Sequence, residues 1–132
     1  MARYADVLND IMSIFGTVEW IAENIATFPN NNRGVSTEYI RVTPILGNEP
    51  LNRKSHSGVL NIDIFITAGE GPKRAFQIAD SLDSYIQNKT IALSAGSTQF
   101  GVSNLVSYGL DRDNTSLYRY VYSINFNYFG VL

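Results

Sequence analysis

His56 is the single histidine of the chain, and Ser55 and Ser57 flank it. Those residue types could build a nucleophile and its base. The pair works only when a third group orients the imidazole and the fold gathers all three. Sequence neighbours on a strand or loop point apart, so this string reads as a solvated loop that carries a histidine. Asp111, Arg112, Asp113 and Asn114 offer carboxylate and amide oxygens, which hard cations bind. The string lacks the glycine and the closing glutamate of a calcium loop. Asp and Asn also favour turns for backbone reasons, so a turn is expected. Gly69, Gly71, Lys73 and Arg74 stand where a helix begins, a place that attracts anions. The glycine spacings of phosphate-binding loops are absent. The glycines are expected to form the turn, and the two bases to pair with acidic neighbours. Asp80 and Asp83 share a helix face at i, i+3 spacing. Acid–base work needs a concave site that shifts a pKa. A solvated face is expected instead, with Asp83, nearer the apolar stripe, able to pair with a cation. The expected catalytic, cofactor and metal sets are therefore empty, and the chain is not expected to be an enzyme.

Composition narrows the field further. The 132 residues fit one domain with one core. Charged residues make up 17%, below the usual quarter, which leaves neutral or apolar surface for a partner. The net charge of −2 supplies no basic surplus for a phosphate backbone, so no specific nucleic-acid recognition is expected. Cysteine is absent, which excludes disulfides and thiolate chemistry. The N-terminal stretch lacks the apolar core of a signal peptide, and no run reaches the length of a membrane span. The sequons at Asn88 and Asn114 are read as chance matches.

The elements follow from periodicity. Tyr4, Val7, Leu8, Ile11 and Phe15 recur at helical spacing, with Asp6 and Asp10 opposite and Gly16 as a stop. Trp20 to Phe28 reads as either a helix continuation or an irregular strand, and a short extended segment is favoured before the loop at Pro29 to Gly34. Glu38 to Leu46 reads as a strand, placed at an edge because Pro44 cannot donate to a ladder. Gly47 to Ser57 is polar and reads as an exposed excursion. Val59 to Thr67 is the clearest strand, with Leu60, Ile62, Ile64 and Ile66 on one face and Asn61 and Asp63 on a wetter one. A glycine turn leads into a helix from Pro72 to about Gln87 that buries Ala75, Ile78, Ala79, Leu82, Tyr85 and Ile86. A short strand at Ile91 to Leu93 precedes Gln99 to Tyr108, where Phe100, Val102, Val106 and Tyr108 run in phase. Asp111 to Ser116 is a turn. Leu117 to Phe129 is the last strand, with Tyr118, Tyr120, Tyr122, Ile124, Phe126 and Tyr128 on one face. That row serves equally as a core face or as an interface, where tyrosine gives large contact area at low entropy cost. The order implies an α+β fold, a mostly antiparallel β-sheet with two α-helices packed on one face, in a single domain over residues 1–132.

Four strings carry a family resemblance: AENIATFP at Ala22–Pro29, EYIRVTPILGNEP at Glu38–Pro50, GVLNIDIFITAGEGPKRAFQIADSLDSYI at Gly58–Ile86, and the YRYVYSINFNYFG ending. In this order and spacing the chain resembles tail terminator (tail completion) proteins of bacteriophages with long, non-contractile tails, the group similar to minor tail protein U. The resemblance implies a small α+β domain that assembles as a homohexameric ring. Such a ring caps the head-proximal end of the tail tube, stops polymerisation at the length set by the tape-measure protein, and offers a surface to the head–tail connector or stopper. It also implies a place in the virion tail, after assembly in the host cytoplasm. A ring needs two different patches on each subunit. Glu49, Asn52, Arg53 and Lys54 in the polar excursion, Lys73 and Arg74 at the helix start, and Tyr118 and Tyr120 on the last strand are the candidate contacts with a neighbouring subunit or the tail tube. The alternatives are a head-completion connector ring and a peptide-binding module that uses the wet sheet face.

Overall fold

The computed structural model describes residues 3–29, 38–52, 55–92, 96–112 and 115–130, with the backbone alone at 3 and 48–52. The α+β expectation holds. Helices α1 (Arg3–Phe15) and α2 (Val18–Ala22) precede strands β1 (Thr27–Pro29), β2 (Tyr39–Asn52) and β3 (Ser55–Thr67); helix α3 (Lys73–Ile86) follows, then β4 (Thr90–Ile91), β5 (Ser97–Leu110) and β6 (Leu117–Phe129). The six strands form one sheet in the order β1-β2-β3-β6-β5-β4. Only β1 runs parallel to its neighbour, and the other pairs are antiparallel.

The alternation of β3 sets the layers. Leu60, Ile62, Ile64 and Ile66 are at most 3% exposed and meet Ile124, Tyr122, Tyr120 and Tyr118 across the ladder. Burial of each of these aliphatics contributes on the order of 1.5–3 kcal/mol. Ile11, Ile14 and Trp20 from α1 and α2, and Ile78, Leu82 and Ile86 from α3, close the same core. On the reverse face Tyr39, Phe65 and Leu117 form a second, smaller cluster, with the Tyr39 and Phe65 rings stacked at 4.5 Å. The tyrosine row is therefore mainly core: Tyr120, Tyr122, Phe126 and Tyr128 are all buried.

Several expectations are corrected. Among the described residues three helices are present rather than two. Val18–Ala22 is helical because the Thr17 side chain accepts from the Trp20 N–H at 3.2 Å and caps the turn; only Thr27–Pro29 of that stretch is extended. The α1 stripe is rotated. Tyr4 and Leu8 are exposed, whereas Asp10 is fully buried and accepts from the Thr98 hydroxyl at 3.0 Å. The polar excursion at Gly47 to Ser57 is no loop: β2 continues to Asn52 and β3 starts at Ser55, with Pro50 opposite His56 and Asn52 opposite Ser55. Among the described residues no strand joins the outer side of β2 beyond Val42, where Pro44 stands. The Ile40 N–H reaches outward to the Ala26 carbonyl, so Pro44, four residues on, turns its missing N–H to the same outer side and leaves the β3 ladder intact. In β5 the phase of Phe100, Val102, Val106 and Tyr108 breaks. Register shifts after Phe100 and after Ser107 turn Val102, Val106 and Tyr108 to solvent. Of the short strand expected at Ile91 to Leu93, the structure places Thr90–Ile91, and Leu93 lies outside the described residues.

Candidate functional site

His56 sits inside β3 and is 5% exposed, not in a solvated loop. Its Nε2–H donates to the Gly47 carbonyl at 2.7 Å, a bond that ties β3 to β2. Its Nδ1 is buried without a hydrogen-bond partner. Ser55 Oγ accepts from the Gly130 N–H at 3.2 Å. A relay would need a carboxylate on Nδ1, and His56 instead acts as a cross-strand tie.

Asp83 was expected on a solvated face or beside a cation. It is half-buried, and its Oδ1 accepts from Tyr122 Oη and from Ser103 Oγ, each at 2.6 Å. Gln87 Oε1 accepts from the Ser103 N–H at 3.1 Å. Helix α3 thereby clamps β5 and β6. Burial, and then the Asp83 carboxylate, push the Tyr122 phenol above its ordinary range. Asp80 is exposed, as expected. Asp111 closes the β5–β6 turn through its N–H to the Leu117 carbonyl at 2.9 Å. Asp113 and Asn114 lie outside the described residues. Among the described residues no group of three His, Cys, Asp or Glu side chains could hold a metal ion.

The turn before α3 is a glycine turn. Gly69 and Gly71 hold φ of +87° and +81°, a region that disfavours other residues. Arg74 meets Glu38 through Nε–Oε1 at 2.7 Å and Nη2–Oε2 at 2.9 Å, and this pairing raises its pKa further. The expected salt bridge is thus made within the chain, from the start of α3 to the residue before β2. Lys73 is exposed. Tyr118 and Tyr120 lie 5.3 Å apart, and Phe76 meets Tyr120 edge-on at 6.1 Å. With Thr67 and Pro72 the two tyrosines line an open notch of about 340 Å³. Lys73, Arg74, Tyr118 and Tyr120 therefore gather at one end of the sheet. Glu49 and Asn52 have their backbones near the other end of β2, roughly 40 Å away at the rise of a strand. Arg53 and Lys54 lie outside the described residues.

Two surface features escaped the sequence reading. The first is β5. Its pairing with β4 ends at Gln99, and from Asn104 to Leu110 no strand joins its outer side among the described residues. Val106, Tyr108 and Leu110 there are 42–59% exposed. The second is a cleft of about 480 Å³ on the sheet face away from the helices. Arg41, Arg112 and Arg119 line it with Phe65 and Tyr108. The Arg41 guanidinium lies 5.1 Å from the Phe65 centroid, and Arg119 lies 5.0 Å from that of Tyr108. Arg119 is held by Asp63 at 2.7 Å, which buries an aspartate that alternation had placed on the wet face. Arg41 reaches Tyr39 Oη with Nη2, while its Nε is buried and has no partner. These arginines are far apart in sequence, and only the strand register brings them together.

No family model matches the chain, and no curated protein does. One solved structure superposes at a TM-score of 0.67 over 96% of this chain and 95% of its own, at 11% identity. That likeness carries the fold and no function.

Proposed function

We propose that this chain is a structural assembly protein, the ring-forming terminator of a long, non-contractile phage tail. Six copies close into a ring on the head-proximal end of the tail tube. The ring ends polymerisation at the length the tape-measure protein sets, and then receives the head–tail connector or stopper. The protein acts in the virion tail, having assembled in the host cytoplasm. The resemblance of the four sequence strings suggests this reading, and one structural observation carries it. Among the described residues no strand joins the outer side of β5 from Asn104 to Leu110, which is dressed with exposed Val106, Tyr108 and Leu110. An open strand of that length with apolar side chains invites pairing, and monomers ordinarily blunt it. The opposite edge is blunted by Pro44. The two edges are therefore unlike, as a head-to-tail contact requires.

Electron microscopy of tails assembled without this protein tests the reading. A terminator leaves tubes that overrun their normal length, and added protein restores uniform tails. Tails of normal length that lack heads would assign the chain to the connector instead.

A further inference from the structure

The arginine cleft has chemistry of its own. Three guanidinium groups converge on it, two of them laid over aromatic rings that fix their planes. Asp63 offsets Arg119, and Asp111 stands on the rim. Among the described residues one to two positive charges remain over, together with the unpartnered Arg41 Nε. That suits a single carboxylate or a pair, which arginine binds through paired N–H donors. It falls short of what a polyphosphate or a nucleic-acid backbone needs.

The matching surface lies on the same chain. Residues 4–29 hold Asp6, Asp10, Glu19 and Glu23 and no lysine, arginine or histidine. Asp10 is buried, whereas Glu19 and Glu23 of the α2 region are exposed. This acidic segment packs on the helix side of the sheet, through Val7, Ile11 and Trp20, and the cleft lies on the reverse side. The two patches are opposite in sign and face away from each other, so the cleft cannot reach these carboxylates within one molecule; Glu23 does accept from Tyr85 Oη at 3.1 Å and lies near Arg74. We infer that the cleft of Arg41, Arg112 and Arg119 receives the acidic α2 surface of a second copy of this chain, with Glu19 and Glu23 as its carboxylates. The inference rests on the ring reading and names which two faces meet.

Charge reversal tests it. Arg112 and Glu19 are both exposed, so Arg112→Glu and Glu19→Arg are expected to keep the fold, with at most a small drop in the melt for Glu19→Arg, which puts a cation in the first turn of α2. Ring formation is followed by sedimentation velocity, alone and with purified tail tubes, at low and high salt. Each single reversal is expected to weaken association by about tenfold or more, and the double reversal to recover most of the loss. Wild-type association should also weaken as salt rises. Rings that form normally with either single reversal overturn the cleft's role and leave the ring reading standing. So does a double reversal that recovers nothing. A wild type that stays monomeric even at tube ends removes the ring reading, and this inference with it.

Discussion

Asp83 illustrates how carboxylates in this domain serve structure. It takes two hydroxyl protons from separate strands, and the resulting clamp makes Tyr122 hard to ionise. The folded pKa of Tyr122 lies above the value of about 10 for an unfolded tyrosine. Its contribution to stability is thus complete below pH of about 10 and is lost as pH climbs beyond, because the unfolded chain ionises first. Thermal melts of Tyr122→Phe should show a loss of about 1 kcal/mol at neutral pH from the missing hydrogen bond. They should also show a shallower decline above pH of about 10 than the wild type. A second carboxylate, Asp63, holds Arg119 from a largely buried position. Asp63→Ala leaves that guanidinium unpaired beside Tyr108, and a destabilisation of about 1–3 kcal/mol is expected in urea titrations.

Elements whose period matches their burial were legible from the chain. Leu60 to Ile66 alternates cleanly and forms the centre of the sheet, and α3 buries the stripe that its spacing announced. The rest depended on partners that no local pattern displays. Val18–Ala22 is a helix of five residues, and Thr17 with Glu19 was the one signal that could have revealed it. His56 reads as polar loop, yet β2 and β6 flank it on both sides. Two bulges reset the phase of β5, and nothing in a single strand's alternation marks where an extra residue is accommodated. Tyr118 and Tyr120 share a face as their alternation implies, while the arginine cleft needs the register of β2, β3 and β6 to exist at all. Gly58 offers an element-level test. A Cβ there would run into the Ile45 carbonyl and sit 2.8 Å from Phe126 Cζ, so β2 and β6 leave no room. Gly58→Ala is expected to cost about 1–3 kcal/mol, read as a lower denaturant midpoint with an unchanged slope.

At the scale of the whole molecule the two sheet edges are unequal, and association should depend on one of them. Val106 is 42% exposed on the stretch of β5 that no described strand joins. A lysine there is the natural device against edge pairing. Val106→Lys is expected to keep the wild-type melting temperature and to reduce ring formation in light scattering. Unchanged rings would move the contact elsewhere on the domain.

The position of β6 has a consequence for synthesis. This strand comes last among the described elements, yet it lies between β3 and β5 at the middle of the sheet. Until the ribosome has released Phe129, the inner side of β3 has no ladder to join, and Ile62 and Ile64 lack their facing residues. The domain therefore cannot fold vectorially as it emerges. Nascent chains should remain protease-sensitive until β6 has left the exit tunnel, and their exposed apolar strands should recruit chaperones during that interval.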